Sequence, residues 1–288
     1  MAQATLHDGS SVELEIHGDG PTVLLPVNPR PAEGERADEM RKWRMDPELG
    51  LSLIRGLRDA FRVVAFDYEG HVMAVPKPDT LTPASIAADL LAVADAAGAD
   101  RFAYYGYSWL ALSGLQLAVR TDRLSALVMG GFPPMGGPYA EMLRVTTATH
   151  AMAGPAPSEP TPQPTQQRSS GAGEDFDWSS AEVTLSQDQA RQFVTLYEAL
   201  QDFDDRAAQS RLTCPRLCVA GSADTIPYDE RWGGVTVDIA GAVTRHRAEL
   251  EAAGWDVRVL DGLDHTQAMQ PANVLPVLRP WLDAKLGR

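Results

Sequence analysis

The chain has 288 residues, enough for one large domain or one domain carrying an insertion at the usual ~100 to 200 residues per domain. Hydrophobic residues make up 44% and charged residues 22%, a composition that can bury a core and is unlike that of a disordered chain. With 25 Lys and Arg against 39 Asp and Glu, a formal charge of -14, the averaged field repels phosphate backbones and anionic lipid headgroups, so neither nucleic acid nor an acidic membrane surface is an expected partner.

The longest apolar runs, such as 23–27 and 124–129, fall far short of the ~20 residues needed to cross a bilayer. The opening stretch from Met1 to Gly9 has neither the basic nor the apolar region of a signal peptide, so a cytoplasmic location is expected. Cys214 and Cys218 stand four apart around Pro215, too far along a strand for a disulfide, and read as buried free thiols.

In chain order, residues 5–6 and 12–16 flank Asp8, Gly9 and Ser10, and the Asp-Gly pair predicts an opening antiparallel hairpin. Short apolar runs then alternate with amphipathic helices, the pattern of a parallel sheet with helices on both faces. The runs are 23–27, 62–66, 102–105, 124–129, 216–220 and 257–260. Asp46 and Thr82, each followed by proline, predict the starts of helices over 49–60 and 84–97, with a side-chain acceptor at the cap and proline at the first helical position. Gly98 ends the second, and a last helix spans about 271–285.

Residues 153–173 interrupt this rhythm. Sixteen of the 21 are Pro, Gly, Ser, Thr or Gln, five of them proline, so this stretch cannot pack a core and reads as a flexible flap. Beyond it, Ser186 to Gln189 resembles a capping box, and Ala190, Phe193, Val194, Tyr197 and Leu200 share one helical face. The expected organisation is a core of 1–131 and 209–288 with an insertion, 132–208, over the sheet's carboxyl edge.

The chemistry gathers at three strand ends. Gly106, Tyr107 and Ser108 join the 102–105 strand to a helix, a sharp turn that thrusts the serine hydroxyl out at the positive end of that helix. Asp224 follows the strand at 216–220, and His265 follows the strand ending at Leu260. Three strand ends of one parallel sheet lie on one edge, so these side chains can meet.

On these residues the chain resembles the α/β-hydrolase fold superfamily over nearly all its length outside 132–208. Residues 61–71, with Asp67, Gly70 and His71, are similar to that family's next strand and turn. The resemblance implies Ser108 as nucleophile, Asp224 as acid and His265 as base. It also implies an oxyanion hole built from the backbone N–H after the nucleophile, Trp109, and one from the 28–31 loop. Pro29 and Pro31 have no N–H to give, so Arg30 is the expected second donor, with Asn28 as its substitute. The chain departs from the family pattern at three places. Leu110 stands where glycine is usual, Asn28 to Pro31 lacks the family's His-Gly, and Glu69 replaces an arginine.

The other histidines have plainer roles. His7 and His17 lie in the opening strands, with His17-Gly18 before the wrong strand for an oxyanion motif; His71 follows a turn, His246 sits in a charged helix at 245–251, and His150 could face the pocket. Pro26, Asn28, Trp109, Phe132, Met135, Met142, Met152 and Met269 are candidates to line an apolar pocket, against the plainer reading that most of them pack the insertion onto the sheet. Glu174, Asp175 and Asp177 could hold an ammonium, or form a solvated acidic loop. The expected function is a serine hydrolase cleaving a carboxylic ester, thioester or lactone of a small apolar substrate through an acyl-enzyme, without metal or organic cofactor. Alternatives are an acyltransferase, thioesterase or macrolactone-forming enzyme with the same three residues, or a ligand-binding relative without turnover. The sequence leaves oligomeric state open.

Overall fold

The computed structural model describes residues 2–42, 44–154 and 184–287. Among the described residues ten strands are formed: β1 Ala2–Thr5, β2 Ser11–His17, β3 Thr22–Leu25, β4 Arg62–Ala65, β5 Phe102–Tyr107, β6 Leu124–Gly130, β7 Arg216–Gly221, β8 Thr225–Tyr228, β9 Val235–Asp238 and β10 Trp255–Leu260. Eight of them make one sheet in the order β1-β2-β4-β3-β5-β6-β7-β10. The pairs β1/β2 and β2/β4 are antiparallel and the others parallel, as the hairpin and the repeating strand-helix pattern led us to expect. Gly9, at φ 83°, supplies the left-handed turn that closes the hairpin.

Successive residues of a strand face opposite sides of the sheet, and the core divides accordingly. Leu24, Val64, Tyr104, Leu127 and Cys218 belong to one buried cluster, and Leu25, Val63, Tyr105, Val128 and Leu217 to the other. The first face is covered by helices α4 Pro83–Ala96 and α5 Trp109–Ala118. The second is covered by α2 Leu49–Leu57 and the closing helix α12 Pro271–Leu286. This two-sided burial explains why the central strands are continuous apolar runs rather than alternating ones. No helix among the described residues is long and apolar enough to cross a membrane.

Most predicted boundaries hold to within a few residues. Thr82 caps α4 in a reciprocal box with Ser85, and Pro83 is its first residue. Helix α2 begins at Leu49 as expected, but Asp46 does not cap it: it forms a local turn, its Oδ1 accepting from the Glu48 amide at 2.8 Å and its Oδ2 from the Ser52 hydroxyl at 2.7 Å. Helix α1, Gly34–Lys42, buries only Ala37, so it has no apolar stripe by which a sequence could announce it. Helix α3, Tyr68–Ala74, occupies what read as a turn. The charged helix at 245–251 is two pieces, α9 Ile239–Arg245 and α10 Arg247–Ala252, broken at His246. Strands β8 and β9 form a separate hairpin where the sequence reads as loop, because Pro227 inside so short a run argues against a strand.

Between β6 and β7 lie α6 Tyr139–Met152, α7 Gln187–Glu198 and α8 Asp205–Ala208. The capping box at Ser186 and Gln189 is formed. Most of the 153–173 stretch, with Glu174, Asp175 and Asp177, lies outside the described residues. Helix α7 is tied to the sheet's carboxyl edge by its polar side chains. Gln189 donates to the Met73 carbonyl at 2.7 Å, Gln192 donates to Val72 at 3.0 Å and accepts from the Lys77 amide at 3.1 Å, and Thr195 donates to Pro78.

The hairpin turn is anchored to the same edge. Lys77 is buried and pairs with Asp8, whose neighbour Ser10 meets His71 Nε2 at 2.9 Å. Burial alone would raise the Asp8 carboxyl, but hydrogen bonds from Lys77 and Ser10 outweigh it and hold the group well below its ordinary range. Burial, then the nearby Lys77 charge, lower the His71 imidazole. Both shifts act in one direction. As pH falls below each group's ordinary value the unfolded chain takes up the proton first, so stability present at neutral pH is lost in acid. We expect Asp8→Asn, which leaves Lys77 without its counter-charge, to cost about 1–3 kcal/mol at pH 7. The difference from wild type should shrink as pH falls below about 4. Urea titrations at pH 7 and pH 3 check this; an equal difference at both would refute it.

Candidate active site

Ser108 stands between the end of β5 and the start of α5 with φ 57° and ψ -127°. A side chain with positive φ is strained by about 1–3 kcal/mol, and the surroundings enforce the conformation. The Ser108 amide donates to the Gly130 carbonyl at 2.8 Å. Gly106 permits the tight turn, since a Cβ there would come within 2.3 Å of the Leu110 carbonyl oxygen. Leu110 itself finds room in the core cluster, while its carbonyl accepts from the Tyr104 hydroxyl at 2.8 Å. The departure from glycine at this position is thus absorbed without opening the turn.

Asp224 follows β7 and is fully buried. The loops after β7 and β10 are knitted together by backbone bonds, Ser222 to Leu260 at 2.8 Å and Ala223 to Leu263 at 3.0 Å. Gly221 is required for that approach, because a Cβ would lie 2.0 Å from the Leu263 carbonyl. His265 opens the one-turn helix α11 His265–Ala268, capped by Asp264 and Gln267. Its Nδ1 lies 3.0 Å and 3.1 Å from the two Asp224 carboxylate oxygens, and its Nε2 lies 3.2 Å from Ser108 Oγ. A carboxylate can only accept, so it selects the tautomer with the proton on Nδ1 and leaves Nε2 as acceptor for the serine hydroxyl. Ser108 is partly open to solvent, whereas His265 and Asp224 are covered.

The structure corrects the expectation for Arg30. Its amide donates to Asn28 Oδ1 at 2.9 Å, and its guanidinium pairs with Glu13 at 2.7 Å, so its N–H is already committed. The Asn28 carbonyl is seated against Gly50, where a Cβ would come within 1.9 Å. Among the described residues the amides of Asn28 and Trp109 donate to no protein group. The Arg30 amide is engaged because an Asn side chain readily captures the amide two residues on, which leaves the Asn28 amide as the candidate from this loop.

Other sequence candidates fall as follows. Pro26, Phe132 and Met135 are buried, Met142, Met152 and Met269 are partly buried, and Asn28 is exposed. Phe132 and Met135 belong to the same core cluster as Trp109. The Trp109 ring lies 6.0 Å from that of Tyr68 and edge-on to Phe193 at 5.4 Å, so α7 contributes an aromatic against Trp109 that the sequence marks only as core. Ile226 and Tyr228 of β8 also pack on this cluster, hidden from sequence reading with the hairpin itself. The remaining histidines are engaged elsewhere: His7 with Asp89, His17 with Glu15, His71 with Ser10 and His246 with Glu249. His150 is half-buried on α6. Both cysteines are free and buried, and burial pushes the Cys218 thiol up to about 12.

No protein-family model matches the chain, and no curated protein matches it in sequence. Solved structures do match it in shape. A hydrolase from Pseudomonas aeruginosa superposes with a TM-score of 0.56 at 17% identity, covering 100% of this chain and 98% of the other. An esterase from Exiguobacterium antarcticum gives 0.59 at 15% identity, covering 98% and 99%. An enol-lactonase from Burkholderia xenovorans gives 0.56 at 16% identity, covering 97% and 99%. The likeness extends over whole chains, so the fold is shared with them.

Proposed function

On the premise that the chain has the α/β-hydrolase fold, we propose that it is a serine hydrolase cleaving a carboxylic ester, thioester or lactone of a small apolar substrate. The observation that carries this reading is the run of hydrogen-bonding contacts from Ser108 Oγ through His265 to the buried Asp224. The esterase and lactonase among its structural neighbours support the substrate class, although fold alone does not determine function.

Ser108 attacks the carbonyl carbon as His265 Nε2 takes its proton, and Asp224 stabilises the imidazolium that forms. The amides of Trp109 and Asn28 hold the oxyanion, the first helped by the positive end of α5. Collapse of the intermediate expels the alcohol or thiol, protonated by His265. Water activated by the same imidazole then attacks the acyl-enzyme and releases the acid and the free serine. The apolar residues around Trp109, with Phe193, Phe132 and Met135, suit an aliphatic or aromatic acyl group better than a charged one.

Labelling with a fluorophosphonate, followed by peptide mass analysis, tests the nucleophile: the adduct is expected on Ser108. A panel of p-nitrophenyl esters of increasing chain length and a lactone tests the substrate class. Absence of both labelling and turnover overturns the proposal. A product transferred chiefly to added alcohol rather than water would move the chain to the acyltransferases.

A further inference from the structure

Tyr107 precedes the nucleophile, and its side chain is aimed at the base. The phenol donates to the main-chain carbonyl of His265 at 2.7 Å, and its ring lies 5.2 Å from the imidazole at 59°. The ring sits in a slot that only glycine permits. A Cβ at Gly130, its partner across the strands, would come within 2.5 Å of Tyr107 Cδ2. A Cβ at Gly131, where φ is 61°, would come within 2.5 Å of Cε1 and 2.9 Å of the hydroxyl.

His265 needs such a restraint. It opens a four-residue helix, reached through a loop with Gly262 at φ 69°, and a helix of one turn has little stability of its own. The bond to Asp224 controls the imidazole, but a side-chain bond cannot fix where the histidine's own backbone stands. Tyr107 does so from the residue adjoining Ser108, so nucleophile and base are referenced to one peptide unit.

We infer that Tyr107 is a positioning residue that sets the alignment of His265 Nε2 on Ser108 Oγ. The inference rests on the hydrolase reading for its kinetic consequence. Misplacing a reacting group by an ångström can cost about a hundredfold in rate, so loss of one restraint of several should cost less. Tyr107→Phe keeps the ring in its slot and removes the bond donated to the His265 carbonyl. It is expected to lower kcat about tenfold with KM within about twofold, the pattern of alignment lost in the transition state rather than of substrate binding lost. Fluorophosphonate labelling should slow by the same factor, with the unfolding midpoint within a few degrees of wild type.

A spectroscopic arm is independent of turnover. In protein labelled with 15N-histidine, the His265 resonances, identified by their loss in His265→Gln, should report a single Nδ1-protonated form in wild type. In Tyr107→Phe, where Asp224 still holds the proton on Nδ1, they should shift and broaden as the ring samples more than one position against Ser108. Gly131→Ala, which forces the ring from its slot while leaving the phenol in the sequence, should reproduce both changes. Tyr107→Phe with wild-type kcat, or with unchanged His265 resonances, overturns the inference and leaves the hydrolase reading standing. A wild type that is inactive and unlabelled overturns the hydrolase reading instead, while the resonances still decide the role of Tyr107.

Discussion

Ser108→Ala is expected to lower kcat for ester hydrolysis by about 10⁴-fold or more while the protein stays folded. The methyl group retains the turn but has no atom to form the acyl-enzyme, and His265 is left facing nothing it can activate. Turnover would not reach zero, since donors and bound geometry alone still accelerate attack by water by about 10³–10⁴ over the uncatalysed rate. Residues that act as a unit are not additive, so adding His265→Ala should cost little more. Ser108 is also a strained position, at φ 57°, and Ser108→Gly is expected to be inactive yet more stable than Ser108→Ala. Relief of about 1–2 kcal/mol corresponds to a midpoint roughly 2–4 °C higher in a chain of this size. Steady-state kinetics and calorimetry on the two variants check both halves. Retention of wild-type turnover by Ser108→Ala would remove the nucleophile from the proposal.

Asp224→Asn is expected to lower kcat about 10⁴-fold with little change in KM. The carboxylate flanks His265 Nδ1 with both oxygens and is fully buried, so the change is electronic rather than a matter of shape. An amide offers Nδ1 an NH2 donor, which favours the tautomer with the proton on Nε2, and Nε2 can then no longer accept from Ser108. The imidazolium formed during attack also loses its counter-charge, Asp224 and His265 both being buried. Kinetics joined to the 15N signature of the His265 ring test the two effects together. A variant that keeps both its rate and its Nδ1-protonated form would show that Asp224 is structural.

The sequence by itself determined the alternation of strands and helices and the three strand ends that carry Ser108, Asp224 and His265. Burial on two faces writes itself into local composition, and a parallel sheet brings its carboxyl ends to one edge whatever the loops between them do. The capping signals at Thr82 and Ser186 are legible for the same reason, since donor and acceptor lie within one turn of each other. Tertiary structure alone decided the rest. Whether Arg30 or Asn28 offers its amide depends on which of them the Asn28 side chain captures and on how the loop seats against Gly50. The hairpin of β8 and β9 has only four-residue strands, too short for a period to register against Pro227. The hydrogen bond from Tyr107 to His265 joins groups 158 residues apart, through a slot that two glycines leave open. Local periodicity records which face of a segment is buried, whereas the partner each polar group finds is settled by close packing between segments that the chain itself keeps far apart.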